Sequence, residues 1–291
     1  MKPGGVAEVS IVVPTIGRIE MLDACLRSLL ACSPRAAEVV VVDQSERDDV
    51  ADLVARSGDE VRLVRSTGRG ISRAMNEGLA AARFDRVLVT HDDCVVATDW
   101  IARGAAHLID RPGHIVTGRV EPGDGGDPRH VPSVKTDPLA HDFTGERTCG
   151  ALYPNNMALW RRPVLDFGGF DERLWFAEDN DLSYRWLLAG RALRYEPDMV
   201  VWHRDWRTRE QLAGVYIEYW RSQGVFYAKH LLRRDRAMFS FLAADVHQAA
   251  RYAAARLLGR ARPWSDARSG IWRGLPIGLV AGVRRFVRAD A

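Results

Sequence analysis

Residues 86–94 read RVLVTHDDC, a short aliphatic run that stops on His91 and two adjoining carboxylates, Asp92 and Asp93. A brief apolar run bounded by polar residues is the pattern of a strand buried on both faces. Upstream, residues 72–82 (SRAMNEGLAAA) have helical spacing, and residues 61–64 (VRLV) read as another strand. A short helix at 49–56 and a strand at 39–42 (VVVV, closing on Asp43) precede these. A helix at 19–30 and a strand at 9–13 (VSIVV, closed by Pro14) come first. Strands alternating with helices predict an α/β fold, with a mostly parallel central sheet and helices on both faces. Ligands gather at the carboxyl ends of such strands, which here carry Pro14-Thr15, Asp43 and His91-Asp92-Asp93.

Downstream the pattern is less regular. Residues 121–150 are rich in Gly, Pro, Asp and His and read as a long loop, a length usually reserved for functional lids or disorder. FGGFDE at 167–172 makes a turn, and Glu178-Asp179-Asn180-Asp181 opens a helix that runs to about Ala189 and is capped by Gly190. A strand at 199–202 ends on His203, and beyond about Arg221 the chain reads as helix, broken at Pro263 and Pro276.

The chain has 291 residues, 47% hydrophobic and 27% charged, with a net charge of +3, which excludes global disorder and is ample for a buried core. Its longest apolar stretch near the C-terminus, 275–283, is interrupted by Pro276, Gly278 and Gly282. It falls short of the roughly 20 residues that cross a bilayer. Residues 1–8 lack a secretory pattern. Four cysteines without CxxC spacing predict a reduced, cytoplasmic protein with neither a disulfide framework nor a zinc site. The mean charge hides an asymmetry. From Lys229 onward there are 13 Lys and Arg against 4 Asp, a net of +9, which leaves −6 for residues 1–228.

Paired carboxylates at a strand end repel unless a cation or a donor-rich ligand sits there. Asp92-Asp93 therefore suits a hard divalent ion, Mg²⁺ or Mn²⁺, with a turn or helix cap as the competing reading. Glu178 and Asp179 at a helix start are either a cap favoured by the dipole or a general base that accepts a hydroxyl proton. Trp175 and Phe176 before them supply an apolar wall or a stacking surface for a sugar. His203 is a candidate third metal ligand or an ordinary buried histidine. Asp43 can bond a base or ribose edge, or simply close a turn. A dinucleotide GxGxxG starting at Gly68 fails because Arg73 stands at its last position, so the glycines more plausibly let backbone approach a substrate, with Arg69 or Arg73 near phosphate. Cys94 has no identifiable activating base.

Together these segments resemble the family 2 glycosyltransferases, inverting enzymes with the GT-A nucleotide-diphospho-sugar transferase fold, from about Val9 to His203. VSIVVPTIGR resembles the family's first strand and the turn beside the nucleotide, which implies roles for Pro14, Thr15 and Arg18. VVVDQSERD resembles its second strand, implying that Asp43 binds the base. RGISRAMNEG resembles the Gly-x-Ser-x-Ala-Arg-Asn-x-Gly stretch, with Met75 where Arg is usual, and implies nucleotide-sugar contacts from Gly70, Arg73 and Asn76. THDDC resembles the DxD-type motif, so Asp93 would hold the metal and Asp92 would contact ribose or assist the metal. GGFDE with AEDNDLSYRWLLAG resembles the acceptor block. There Asp179, with Glu178 beside it, is the implied base, and Trp175 and Asn156 are the implied acceptor contacts. VVWH resembles the strand whose histidine, here His203, ligates the metal in some members.

The resemblance implies single-displacement transfer from a nucleotide-sugar, UDP or dTDP most compatibly, to a glycan, glycolipid or polyprenyl-linked acceptor, with Mn²⁺ or Mg²⁺ as cofactor. It places a GT-A domain at residues 1–225, with the nucleotide half at about 1–115 and the acceptor half at 116–225. Residues 226–291 are then a basic helical C-terminal extension. In that extension, arginines alternate with Leu231, Leu232, Met238, Phe239, Ile271, Trp272, Leu275, Ile277, Phe286 and Val287. Either it packs on the body or it forms an amphipathic anchor on the anionic inner membrane face. Nothing resembles a nucleic-acid-reading module. The competing readings are a sugar nucleotidyltransferase of related fold, which would carry a Gly-rich basic loop where residues 14–18 (PTIGR) stand, and a catalytically inactive sugar-binding protein.

Overall fold

The structure, a computed structural model, describes residues 6–45, 47–66, 68–123, 131–204, 207–259 and 270–287. The chain divides into two compact units, one of residues 1–172 and 179–205, the other of residues 173–178 and 206–291.

The first unit begins β1 (Val6–Thr15), α1 (Ile19–Leu30), β2 (Arg35–Asp43), α2 (Asp48–Ser57), β3 (Val61–Arg65), α3 (Ile71–Ala81) and β4 (Arg86–Thr90). It continues with β5 (Cys94–Val96), α4 (Trp100–Asp110), β6 (Ile115–Pro122), β7 (His141–Thr144), β8 (Asn156–Trp160) and α5 (Arg161–Asp166). It closes with α6 (Glu178–Leu188) and β9 (Ala192–His203). Among the described residues these strands form one nine-stranded sheet in the order β3-β2-β1-β4-β8-β6-β9-β5, with β7 also on β9. β3, β2, β1 and β4 are mutually parallel, as the alternation of strands and helices predicts. Beyond β4 the sheet is mixed. β8 runs antiparallel to β4 and β6, β9 is parallel to β6, and β5 and β7 are antiparallel to β9.

Successive side chains of a strand face opposite ways, and β1 shows the consequence. Val9, Ile11 and Val13 join an apolar cluster with α1, α2 and α4, whereas Val12 faces a second cluster with α3, α5 and α6. Each fully buried Val or Leu contributes about 1.5–3 kcal/mol, so the two-faced burial fixes the register of the parallel half. A Cβ on Gly78 would overlap Val12 and press on Val42, so glycine is what lets α3 lie close on the sheet. The expected 121–150 loop contains β7, a strand without apolar periodicity (HDFT). β7 is held from its partner strand by Arg194 to Asp142 at 2.7 Å.

The second unit holds α7 (Arg209–Leu232), α8 (Ala237–Leu257) and α9 (Ile271–Val287). α7 starts at a capping box in which Thr208 and Gln211 bond each other's backbone N–H groups at 3.3 and 2.8 Å. It then runs unbroken for 24 residues, straight through the boundary expected at 225/226, so the helical unit starts at 206 and takes in 173–178. Gly274, Gly278 and Gly282 of α9 face the α7 backbone so closely that a Cβ at any of them would overlap it or its side chains. That packing also explains why Pro276, expected to break a helix, sits inside α9. It is exposed, so water can satisfy the carbonyl that loses its donor. Pro263 lies outside the described residues. Of the tail's apolar residues, Met238, Ile271, Leu275 and Phe286 are buried, while Phe239, Trp272, Ile277 and Val287 are exposed. Among the described residues no helix is long and apolar enough to cross a membrane.

Candidate functional site

The parallel register sets Thr15 beside Asp43 at the carboxyl ends of β1 and β2, with β4 as the next strand over. Two residues past β4, Asp92 is completely buried. Its carboxylate accepts the Thr15 hydroxyl at 2.6 Å and the Arg18 Nε at 3.2 Å, and a second Arg18 nitrogen bonds its other oxygen. Arg18 Nη1 also lies 3.0 Å from Asp93 Oδ2. The guanidinium fork thus bridges both acids of the pair, one positive charge shared between two carboxylates. Burial is the largest influence on Asp92 and raises its carboxyl above the ordinary range despite Arg18 and Thr15. Asp93 goes the other way. Burial pushes it up, but the hydrogen bond and charge of His203, with Arg18 and His91, outweigh that and hold it well below the usual carboxylate range.

His203 ends β9, paired directly with Cys94 of β5. Its Nε2 lies 3.4 Å from Asp93 Oδ2, and its Nδ1 lies 2.7 Å from the Pro132 carbonyl oxygen. A carbonyl can only accept, so Nδ1 carries a proton and Nε2 is the nitrogen turned toward Asp93. Orientation of one imidazole nitrogen by a backbone carbonyl is the usual outer-shell support of a histidine ligand. Asp93, Cys94 and His203 offer ligand atoms all within 4.8 Å of one another. This oxygen, nitrogen and sulfur set fits a divalent cation. His107, Glu196 and Asp198 form a second such group among the described residues. It is laced into ion pairs with Arg103 at 3.2 Å and Arg194 at 2.7 Å, which satisfy its carboxylates without an ion.

Asp43 is buried, with one oxygen taking the Ser45 N–H at 2.8 Å and hydroxyl at 2.6 Å and the other paired with Arg65. The expected base contact therefore comes with its own cation. Gly70 precedes α3 at φ +114, a conformation for which glycine is suited, and its backbone is held by the Gln44 amide at 3.0 and 3.3 Å. Pro14 closes β1. Arg73 pairs with Glu172 at 3.0 Å, and Asn76 exchanges hydrogen bonds with the Phe170 backbone at 2.9 Å. These two residues clasp α3 to the 167–172 turn. Arg185 of α6 reaches the same turn through the Gly169 carbonyl at 2.7 Å while pairing with Asp181 at 2.7 Å.

Asp179 takes the Asn180 N–H at 2.8 Å. Burial nevertheless pushes its carboxyl up to about 6, against two backbone hydrogen bonds. The 150–156 segment runs beside the end of β4. Thr90 Oγ1, two residues before Asp92, donates to the Asn155 carbonyl at 2.9 Å. In the same segment the Tyr153 phenol is raised by burial and then by the charge of Asp179. Asn156 does not match its expected role. Its amide donates both N–H groups to the Arg119 and Met199 carbonyls at 2.7 and 2.8 Å and accepts the Trp100 indole N–H at 2.8 Å, so it pins strands together, completely buried within the sheet. Asn155, which the sequence reading passed over, is equally buried, yet neither atom of its amide has a hydrogen-bond partner among the described residues. Trp175 is 58% exposed and Glu178 is buried; both belong to the second unit. Between them Ala177 adopts φ +62. A left-handed non-glycine residue costs on the order of 1–2 kcal/mol and leaves no mark in the sequence pattern.

Residues 7–224 match the family described as "Glycosyltransferase like family 2". The chain is 29% identical over 224 residues to a pre-mycofactocin glycosyltransferase of Mycobacterium tuberculosis, covering 71% of this chain and 46% of that protein. A PGL/p-HBAD biosynthesis glycosyltransferase of Mycobacterium bovis is 32% identical over 117 residues, 38% of this chain and 46% of that one. The chain thus spans less than half the length of the curated relatives it matches. Among solved structures, the mannosyltransferase PcManGT from Pyrobaculum calidifontis, in complex with GDP-Man and Mn²⁺, has a TM-score of 0.64 at 21% identity, covering 100% of this chain and 92% of that one. S. aureus TarS 1–349 in complex with UDP-GlcNAc has a TM-score of 0.58 at 14% identity, covering 97% and 92%. These likenesses bear out the fold expected from the sequence.

Proposed function

The chain belongs to the glycosyltransferase family 2, and on that premise we propose that it moves a sugar from a nucleotide-diphospho-sugar to an acceptor hydroxyl with inversion at the anomeric carbon. One observation carries the reading: Asp93, Cys94 and His203 bring ligand atoms within 4.8 Å of one another, with Asp93 held well below the usual carboxylate range, while burial pushes Asp179 at the head of α6 up to about 6. Two acids driven apart by their surroundings are suited to different tasks, one to stay ionised against a cation and one to take up a proton near neutral pH.

Asp93 and His203 are the residues that would hold a divalent ion, whose chemistry when bound is to neutralise the charge of the departing nucleoside diphosphate. Arg18, already spanning Asp92 and Asp93, is the chain's own cation at that place. Asp179 accepts the acceptor's hydroxyl proton as the oxygen bonds to the anomeric carbon. The bond from that carbon to the diphosphate breaks on the opposite face, its electron pair leaving with the phosphate oxygen. Asp43 with Arg65 offers both an acceptor and donors to a base edge. A pyrimidine donor (UDP- or dTDP-sugar) fits that set, and the GDP-Man and UDP-GlcNAc complexes of the structural neighbours make both nucleotide classes the ones to test. The acceptor is proposed to be a glycan, glycolipid or polyprenyl-linked sugar.

The test is nucleoside diphosphate release from UDP-glucose, UDP-GlcNAc, dTDP-rhamnose and GDP-mannose with Mn²⁺ or Mg²⁺. Release from at least one donor, lost with Asp179→Asn, supports the reading. Consumption of nucleoside triphosphate with pyrophosphate release would replace it by nucleotidyl transfer. In the helical unit, exposed Trp272, Ile277, Val280, Val283 and Val287 share α9 with Arg273, Arg284 and Arg285, which supports a peripheral hold on anionic lipid at a membrane face. Flotation of the full chain with phosphatidylserine vesicles, and its loss in Trp272→Ser/Ile277→Ser, checks this; equal flotation of both proteins counts against it.

A further inference from the structure

We infer that Cys94 is a third ligand of the cation held at Asp93 and His203, making the centre an oxygen, nitrogen and sulfur site. The inference rests on the cation of the proposed reaction and adds to it a third ligand. Three observations carry it. First, Cys94 Sγ lies 3.9 Å from Asp93 Oδ1, and His203 Nε2 lies 3.4 Å from Asp93 Oδ2. Ligands bonded to one ion at about 2.0–2.3 Å stand roughly 3.3–3.7 Å apart when the geometry is tetrahedral. One ligand atom from each residue lies within 4.8 Å of the others, so the three need to draw together by about an ångström at most. Second, Cys94 is the direct cross-strand partner of His203, which places both side chains on one face of the sheet. Third, Cys94 is completely buried without belonging to either apolar cluster of the core. Cys25 and Cys32 are buried among the aliphatic side chains of the first cluster. The sulfur of Cys94 instead has an aspartate and a histidine within reach.

The arrangement also uses the two oxygens of Asp93 differently. Arg18 and His203 approach Oδ2, and the sulfur approaches Oδ1. On binding, the S–H bond breaks, its proton leaves to solvent, and the sulfur lone pair enters the coordination sphere. A thiolate shifts preference from Mg²⁺ toward softer or later ions such as Co²⁺ and Zn²⁺.

The experiment is titration of the full chain with cobalt(II) chloride alone, in a Cys149→Ser background that removes the half-buried thiol. The expected result is a near-ultraviolet thiolate-to-cobalt charge-transfer band with one equivalent of Co²⁺. The band disappears in Cys94→Ser, with affinity down at least tenfold, since even outer-shell changes cost about 10–100-fold. Cobalt that binds with visible d–d bands only, and equally well to Cys94→Ser, overturns the ligand assignment and leaves the cation at Asp93 and His203 intact. Absence of any cobalt binding overturns both. Should Cys94→Ser fail to fold, X-ray absorption of the zinc-loaded Cys149→Ser chain decides. A sulfur neighbour at about 2.3 Å upholds the inference, and an all-oxygen and nitrogen shell refutes it.

Discussion

Replacing Asp179 by Asn should stabilise the protein and silence it together, with a pH dependence that identifies the cause. The folded carboxyl titrates near 6 against 3.8 for an unburied aspartate. A folded value above the unfolded one means that the stability tied to this group is complete below about pH 3.8 and is lost as pH rises through 6. The displacement of about two units corresponds to about 3 kcal/mol at 1.36 kcal/mol per unit. This is an upper figure because the side chain keeps partial contact with solvent. Asparagine preserves the shape and can still accept the Asn180 N–H, but it has no charge to desolvate. The variant should therefore melt like the native chain at pH 4 and above it at pH 8, by up to ~8 °C for the first unit. Thermal unfolding followed at half-unit pH steps gives the difference curve. Over the same range, kcat/KM of the native enzyme should climb about tenfold per pH unit below 6 and level off above. The variant should lose about 10²–10⁴-fold. A difference curve that stays flat from pH 4 to pH 8 would refute the burial argument, and turnover at the native rate would remove Asp179 as the base.

Arg18→Met strands Asp92 in the interior without its cation, and loss of one partner of a buried pair costs about 3–5 kcal/mol; a drop in urea midpoint at constant slope is expected, with Arg18→Lys restoring only part of it because lysine lacks the fork. Asn156→Ala orphans the Trp100 indole and two carbonyls and should cost at least about 3 kcal/mol, whereas Asn155→Ala removes two atoms that have no partner among the described residues and should leave the melting temperature unchanged or higher; differential scanning of the pair tests this, and equal losses would mean that Asn155 is bonded within the fold. In the helical unit, Gly214→Ala adds a Cβ into open space on an exposed helix position and should gain about 0.5–1 kcal/mol. Gly278→Ala drives the same atom into the Arg221 carbonyl and should lose helical signal on mild heating, so the same substitution takes opposite signs in two helices.

What could be foreseen from the chain alone follows from how far each signal reaches. The parallel strands announce themselves because burial on both faces demands an unbroken aliphatic run, as in residues 39–42. Residues at their ends inherit a location from that pattern, so Asp43, Asp92, Asp93 and His203 could be named before any coordinates. β7 could not, because its HDFT sequence is held by Arg194 and the neighbouring strand and not by its own periodicity. Pro276 misled for the related reason that local preference predicts a break. Three glycines packed on α7 supply tertiary contact that outweighs it. The harder limit concerns what a polar side chain has already spent its hydrogen bonds on. Asn155 and Asn156 are neighbours of identical chemistry and near-equal burial, yet among the described residues one side-chain amide is bonded on three sides and the other on none. Asn156 opens β8 and meets partners across the sheet, whereas Asn155 lies in the turn before it, and adjacency in sequence does not tell which amide is structural. Thr15 and Arg18 pose the same question for ligand binding. Both stand where a nucleotide contact is expected, and both are engaged with Asp92. On the proposed reading, a diphosphate arriving there would compete with a buried carboxylate for Arg18, which would couple donor binding to the charge state of the acid pair through one guanidinium.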